Sequence, residues 1–310
     1  MRRAHLPVSL PAVGATQGDL VSIAQCRDHG LTDKDVGGLV RRGVLTRVTR
    51  GVYDTCPTPV PVRPWDARRL RAAWAGLLAY GEDAVAVGQC ALALHGVRGL
   101  PGAIRPEAAV PWGRNRRDRD GIALRQFDAG MTTATVGGRL VADIDWAIAQ
   151  AVPELPRPNG LAVLDSALHL GLLDRSGLDR SHVHARGRRG VALRHALWTL
   201  ADPRSESPLE SFARLDCVDE GVPPHTLQLP VHLGPDSPTL RADMGWRRAD
   251  GRWLVAELDG MDVHDAPAAV FADRQRQNTL VATGRLDVLR FTGRDVGTIG
   301  RTVRKVLLVT

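Results

Sequence analysis

The first sixty residues alternate between helical and strand-like patterns of apolar positions. Before His29 and Gly30, apolar residues recur at helical spacing, and a glycine in this place commonly ends a helix. They are Leu20, Ile23 and Ala24. A second helix is predicted over residues 33–42, because Thr32 can cap it and Asp35, three residues later, completes a capping box. The chain therefore begins with two short helices joined by a turn.

Two short strands with a basic turn follow the second helix. Residues 44–48 and 50–53 are rich in residues that favour strands. Two helices followed by a β-hairpin are typical of a winged helix, in which the second helix enters the DNA major groove and the hairpin touches the backbone. DNA contacts are therefore predicted at four arginines: Arg41, Arg42, Arg47 and Arg50. A small structural helical domain with solvated arginines would produce the same pattern.

This segment resembles the N-terminal winged-helix domain of the type IV antitoxins of abortive-infection systems. The likeness lies in Gly-Val-Leu-Thr-Arg-Val at 43–48 and in Arg-Gly-Val-Tyr at 50–53. It implies a DNA-binding domain that either belongs to a regulator or precedes an effector domain.

Four prolines within residues 55–64 predict an extended linker and a domain boundary. We predict three domains. They are a winged helix at 1–60, a mixed α/β connector at 61–202 and a C-terminal α/β domain at 203–310. The connector shows no catalytic pattern, and its basic run at 114–119 is either a solvated hairpin loop or a contact to the DNA backbone.

The region from Ser207 onward carries the most regular pattern. Ser207 can cap a helix that starts at Pro208, with Glu210 three residues past the cap. Strands, helices and a hairpin turn signal, Asp250-Gly251, follow. The predicted strands cover 226–231, 240–246, 253–260 and 288–291, and the predicted helices cover 267–283 and 296–308.

Two carboxylates stand near the ends of neighbouring predicted strands in this region. They are Asp243 and Glu257, and the glutamate follows an apolar run in which burial without a partner would be costly. A divalent cation removes that cost, since Mg²⁺ (or Mn²⁺) takes one or two carboxylates together with waters and substrate phosphates. The alternative is that these acids face solvent or pair with Arg241 or Arg290.

The order of these elements resembles the restriction-endonuclease-like superfamily. The matching branch contains compact nucleases related to very-short-patch repair endonucleases and is known as domain of unknown function 559. The likeness covers residues 205–308 and rests on several ordered motifs. They are Ser-Pro-Leu-Glu at 207–210, Arg-Ala-Asp at 241–243, Val-Ala-Glu-Leu-Asp-Gly at 255–260, His264, the spacing of Asp273, Arg276, Leu280 and Gly284, and Val-Leu-Arg-Phe-Thr at 288–292. The resemblance implies an α/β fold and hydrolysis of phosphodiester bonds.

The same resemblance implies a role for each acid in these motifs. Asp243, Glu257 and the Leu258 carbonyl would bind the metal ion. Glu210 would contribute an outer carboxylate from the first helix of the domain. Asp259 stands where the superfamily signature usually has a lysine, so the role of that lysine needs another residue.

Few residues can replace the missing lysine. The chain has only two lysines, Lys34 in the N-terminal domain and Lys305 in the last predicted helix. His264, Arg276 and Arg290 are therefore the candidates. We favour His264 for handling the proton or orienting the attacking water, because histidine changes its charge near neutral pH and arginine does not.

Composition modifies this picture in three ways. The net charge of +7 fits a polyanionic partner, although the bias towards arginine, alanine, glycine and valine also suggests a GC-rich genome. Charged positions interrupt every long apolar run, so we expect a cytoplasmic protein without a membrane partner. The four cysteines have no spacing suited to zinc, so we expect buried thiols.

Two functions remain open at this point. The first is a DNA endonuclease or nickase in which the winged helix selects the site and the C-terminal domain cuts; the retained Glu210, Asp243 and Glu257 favour it. The second is a non-enzymatic transcriptional repressor or type IV antitoxin with a degenerate nuclease-like domain, which the missing lysine favours. DNA is the expected partner in both, and a homodimer or a cognate partner protein is a further alternative.

Overall fold

The chain folds as α/β and forms two compact units. The structure is a computed structural model that describes residues 5–111, 118–231, 240–259 and 286–308. The first unit comprises Met1–Leu155 and Leu173–His195, and the second comprises Pro156–Leu172 and Ala196–Thr310. In these described ranges, no helix is long and apolar enough to cross a membrane.

The N-terminal part of the first unit has the topology of a winged helix. Its helices are α1 (Ser9–Ala15), α2 (Ile23–Asp28) and α3 (Asp33–Arg41), and its strands are β1 (Leu20–Ser22), β2 (Thr46–Thr49) and β3 (Val52–Asp54). The strands form an antiparallel sheet in the order β1-β3-β2. The predicted capping box of α3 is confirmed, because the Thr32 hydroxyl accepts from the Asp35 N–H and the Asp35 carboxylate accepts from the Thr32 N–H.

The prediction for the first helix is wrong at its start. Leu20 lies on β1, which pairs with Val52–Asp54. Ser22 ends this strand and caps α2, where its hydroxyl accepts from the Gln25 N–H. Three apolar residues at helical spacing cannot distinguish one helix from a short strand that runs into a helix, because the strand is defined by pairing with distant residues.

The proline-rich segment is anchored and does not behave as an extended linker throughout. Val60–Val62 forms a turn of 3₁₀ helix. The next residue, Arg63, is buried and its guanidinium lies 2.9 Å from the Asp54 carboxylate. Arg71 reaches the same carboxylate at 2.9 Å. The linker prediction is wrong here because a buried acid on β3 requires cationic partners, and one of them comes from this segment.

A five-stranded mixed sheet forms the rest of the first unit. Its strands are β4 (Val85–Ala86), β5 (Glu107–Ala109), β6 (Ala123–Arg125), β7 (Thr133–Val136) and β8 (Arg139–Ala142), in the order β6-β5-β4-β8-β7. The helices are α4 (Trp65–Tyr80), α5 (Gly88–Leu94), α6 (Ile144–Ala151) and α8 (Arg175–Ala185). The basic run at 114–119 falls mostly outside the described residues.

A four-stranded mixed sheet forms the second unit with its helices. The strands are β9 (Thr226–Val231), β10 (Leu240–Arg247), β11 (Trp253–Asp259) and β12 (Leu286–Thr292), in the order β12-β11-β10-β9. The helices are α7 (Arg157–His169), α10 (Pro208–Asp219) and α11 (Ile299–Leu308), and α9 (His195–Leu200) spans the boundary between the two ranges. All four predicted strands are confirmed; the predicted helix at 267–283 lies outside the described residues.

Helix α7 belongs to the second unit, although we assigned its sequence to the connector. Its Asp165 is fully buried and lies 2.6 Å from the Arg214 guanidinium of α10. The Ser211 hydroxyl donates to the same carboxylate at 2.7 Å, and the Asp202 N–H donates to its other oxygen at 2.8 Å. The division into three domains stays a prediction.

Three of the four cysteines are buried free thiols, as predicted, and Cys56 is half-buried. Burial raises the pKa of Cys26 to about 11 and the pKa of Cys217 to about 12. Burial also raises the pKa of Cys90. These thiols therefore stay protonated at neutral pH and are poor nucleophiles.

Candidate functional site

The first candidate surface is the outer face of α3. Val36 and Leu39 lie on the inner face of this helix and pack in a core that also contains Leu45. Arg41, in the last turn, and Arg42, at the C-cap, are both exposed. The helix therefore presents its basic end to solvent while apolar packing fixes its position.

The second part of this surface is the wing, which we define as the β2–β3 hairpin (Thr46–Asp54). Arg47 and Arg50 are exposed, as predicted for residues that contact DNA. Thr49 is buried, and its hydroxyl donates to the Asp120 carboxylate at 2.9 Å. The Arg50 N–H donates to the same oxygen at 3.3 Å. The Asp120 carboxylate, which is distant in sequence, thus holds the wing in place. This contact was not predicted from the sequence.

The predicted metal ligands lie on adjacent strands of the second unit. The strand pairs continue up to Met244 and Ala256, so Asp243 on β10 and Glu257 on β11 are the next positions of that ladder. The Asp243 carboxylate accepts from the Leu258 N–H at 2.8 Å. Both acids lie within their strands, Leu240–Arg247 and Trp253–Asp259, and not near the strand ends where they were predicted.

Glu257 has a cationic neighbour on the next strand. It pairs in register with Arg290 on β12, and the Arg290 guanidinium lies 2.9 Å from its carboxylate. The glutamate is buried, with 7% of its surface exposed. Of the two arginines considered as alternative partners, Arg290 therefore contacts a predicted ligand, whereas Arg241 pairs with Glu206 at 2.7 Å.

Glu210 sits at the start of α10, where the sequence placed it. The Ser207 hydroxyl accepts from its N–H, which confirms the predicted cap. Its buried carboxylate accepts from the Gln228 side-chain amide at 2.8 Å and from the Glu206 N–H at 3.0 Å. The Gln228 contact has no clear sequence signal beyond a polar residue inside an apolar strand.

The remaining predicted site residues are less closely connected. Asp259 is exposed at the end of β11, and Leu258 is partly buried in the core beneath α10 and α11. His264 and Arg276 lie outside the described residues. In the part of the chain that the structure describes, no three His, Cys, Asp or Glu side chains form a group that could hold a metal ion. Of the predicted direct ligands, the described residues bring Asp243 and Glu257 together on adjacent strands.

A known family model matches the winged-helix segment. Residues 11–53 match the family model described as transcriptional regulator, AbiEi antitoxin. The N-terminal resemblance is therefore confirmed: the chain carries a regulator or antitoxin domain, which supports a DNA-binding role.

Two Mycobacterium tuberculosis proteins extend the likeness over most of the chain. They are the uncharacterized protein MT2308 of strain CDC 1551 / Oshkosh and the uncharacterized protein Rv2248 of strain ATCC 25618 / H37Rv. Each is 32% identical over 254 residues, which cover 82% of this chain and 88% of the relative. This chain belongs to the same family as these two proteins.

Proposed function

We propose that the chain binds duplex DNA through α3 and the wing, as a regulator or antitoxin of the type IV class. The observation that carries this proposal is the exposure of all four predicted arginines on two elements of one winged helix: Arg41, Arg42, Arg47 and Arg50. Guanidinium groups bind phosphate oxygens with paired hydrogen bonds, and such contacts position a recognition helix on the duplex.

Asp120 gives this proposal a specific test. Asp120→Ala removes the acceptor that holds Thr49 and the Arg50 N–H, so we expect the wing to lose order before binding. A hydrogen bond worth about 1 kcal/mol corresponds to a loss of DNA affinity of about fivefold. The salt dependence should not change, because no phosphate contact is lost. Fluorescence anisotropy with a labelled duplex measures both quantities.

Asp120→Asn is the matched control for the charge of this residue. It also removes a negative charge but keeps an oxygen that can accept from the Thr49 hydroxyl. It should bind DNA at least as tightly as the parent chain. Equal affinity of the parent, the alanine variant and the asparagine variant would show that the wing needs no support from Asp120.

A second candidate function is metal-dependent hydrolysis of phosphodiester bonds in the second unit, with DNA as the substrate. The adjacent positions of Asp243 and Glu257 support it, since the Leu258 N–H bond fixes one carboxylate beside the strand that carries the other. The donor chemistry fits Mg²⁺ or Mn²⁺, which accept one or two carboxylates and complete their shells with water. Asp243, Glu257 and the Leu258 carbonyl would hold the ion, and Glu210 would bind one of its waters.

The chemistry that a bound ion supplies in such a site is activation of a water and polarisation of the scissile phosphate. The chain itself would orient the acids through Leu258 and Gln228. Arg290 already contacts Glu257 and places a fixed positive charge beside it, as the absent lysine would. Arg290 thereby supports charge stabilisation at this site, while the proton must be handled by a group that titrates near neutral pH.

We propose that His264 accepts the proton of the attacking water. If it acts as the general base, cleavage by the parent chain should rise between about pH 6 and 7, where histidine side chains lose their proton. A plasmid-nicking assay over this pH range, with Mg²⁺ held constant, measures the effect. In His264→Gln the pH dependence should disappear. A parent profile that is flat across this range would remove histidine from the mechanism.

A further inference from the structure

Strand β9 changes face at Gln228. Leu227 packs in the apolar cluster that includes residues of α10 and α11, whereas Leu229 packs against the cluster on the other face of the sheet. Residues two apart in a regular strand share a face, so the alternation reverses between these leucines. Gln228 occupies the reversal with φ of 54°, in the left-handed region that residues other than glycine rarely adopt.

The alternation of faces along strand β10 also reverses, at the position opposite Gln228. Ala242 belongs to the same cluster as Leu229, whereas Met244 belongs to the cluster of α10 and α11. The β9–β10 pairing is kept on both sides of this step, which places Asp243 and Gln228 at one level of the ladder. The only irregular level of this pair of strands therefore contains a predicted metal ligand, within the described parts of β9 and β10.

The Gln228 side chain connects this level to helix α10. Its amide donates to the Glu210 carboxylate at 2.8 Å, and the Glu206 N–H donates to the same oxygen at 3.0 Å. Glu210 is buried, so its orientation depends on these two donors. We propose that Gln228 is a positioning residue of the divalent-metal site, whose amide holds Glu210 towards the level of the sheet that carries Asp243.

This inference rests on the proposed metal site and explains why the unusual backbone conformation is kept. Residues in left-handed conformations persist where the surroundings enforce them, and they concentrate at functional sites. A purely structural role would require only that Gln228 link β9 to α10. A positioning role predicts a lower metal affinity when Gln228 is changed, whereas a purely structural role predicts no change in metal affinity. Removing a residue that hydrogen-bonds a direct metal ligand typically lowers metal affinity about 10- to 100-fold, and this range is the upper bound for a residue that acts through the outer carboxylate of Glu210.

The substitutions Gln228→Gly and Gln228→Asn separate the effect of the backbone conformation from the effect of the side chain. Gln228→Gly in the full chain relieves the positive φ but removes a donor to the buried Glu210 carboxylate, so the two effects oppose each other and the melting temperature should stay close to that of the parent. Its Mn²⁺ affinity, measured by calorimetry, should fall below that of the parent, by no more than about 100-fold. Gln228→Asn tolerates the same φ but is one methylene shorter, and its Mn²⁺ affinity should fall similarly. Pro230→Gly, an exposed position on the same strand, should retain parental Mn²⁺ affinity.

A double-mutant cycle between Gln228→Ala and Glu210→Ala tests the proposed route. If Gln228 acts through Glu210, the double variant should bind Mn²⁺ no more weakly than the weaker single variant. Additive losses would overturn the positioning role. Parental affinity in Gln228→Gly would also overturn it, provided that Asp243→Asn loses affinity. If Asp243→Asn binds Mn²⁺ like the parent, the metal site itself is absent and the inference fails with it.

Discussion

Asp243→Asn is expected to abolish the binding of Mn²⁺ and Mg²⁺ while the chain stays folded. Asparagine keeps an oxygen that can accept from the Leu258 N–H, so the link between β10 and β11 survives. The charge is lost, and one anionic ligand cannot hold a hard divalent cation as two can. The loss of metal affinity should exceed the range of about 10- to 100-fold that is typical when a residue that hydrogen-bonds a metal ligand is removed. Calorimetry with Mn²⁺ on the full chain measures it.

Asp250→Asn controls for the removal of any negative charge in this unit. Asp250 lies in the exposed turn between β10 and β11, where it accepts from the Arg252 N–H. This variant should bind Mn²⁺ like the parent. Unchanged Mn²⁺ affinity in Asp243→Asn would refute the metal site.

Asp165→Asn should strongly destabilise the second unit. The substitution leaves the Arg214 guanidinium buried without its anionic partner, since the two groups lie 2.6 Å apart with almost no exposure. Removing one member of a buried pair typically costs about 3–5 kcal/mol. Urea denaturation followed by circular dichroism should show this loss in the free energy of unfolding.

Two further variants serve as controls for this loss in the free energy of unfolding. Arg204→Ala breaks the pair of an exposed arginine with the half-buried Asp202 in the same unit, and should cost less than about 1 kcal/mol. Combining Asp165→Asn with Arg214→Met removes the stranded charge and should recover part of the stability. A loss of less than about 1 kcal/mol in Asp165→Asn would show that Arg214 finds another partner or reaches solvent.

Local signals in the sequence predicted the starts of α3 and α10 and the strands of the second unit. The caps at Thr32 and Ser207 act on residues three positions away, so a short window contains the whole interaction. Apolar runs located β9 to β12 because the sheet buries them on its faces. The same runs led to Asp243 and Glu257, whose charges interrupt an apolar pattern.

The missed features depend on contacts between residues far apart in sequence. Asp120 holds Thr49 from 71 positions away, and Gln228 reaches Glu210 across 18 positions. Arg63 was placed in a linker, yet it is fixed by the buried carboxylate of β3. No pattern of apolar positions encodes such polar pairs, because either partner alone is compatible with an exposed position.

We expect the winged helix to bind DNA through its four exposed arginines, and the salt dependence of binding tests this. The full chain is the right material, because Asp54 of β3 pairs with Arg63 and Arg71, which a fragment ending at residue 60 lacks. Binding affinity for a labelled duplex is measured by anisotropy over a range of salt concentrations. Each phosphate contact contributes about 0.9 to the slope of log affinity against log salt.

The decisive comparison is between two fourfold variants of equal charge, each lowering the net charge from +7 to +3. One replaces the predicted contacts with alanine, and the control replaces exposed arginines of the second unit. The control positions are Arg204, Arg241, Arg301 and Arg304. We predict that the first variant loses about 3 to 4 from the slope of log affinity against log salt and that the control keeps most of the parental slope. Equal slopes in the parent and in the variant at Arg41, Arg42, Arg47 and Arg50 would contradict this prediction.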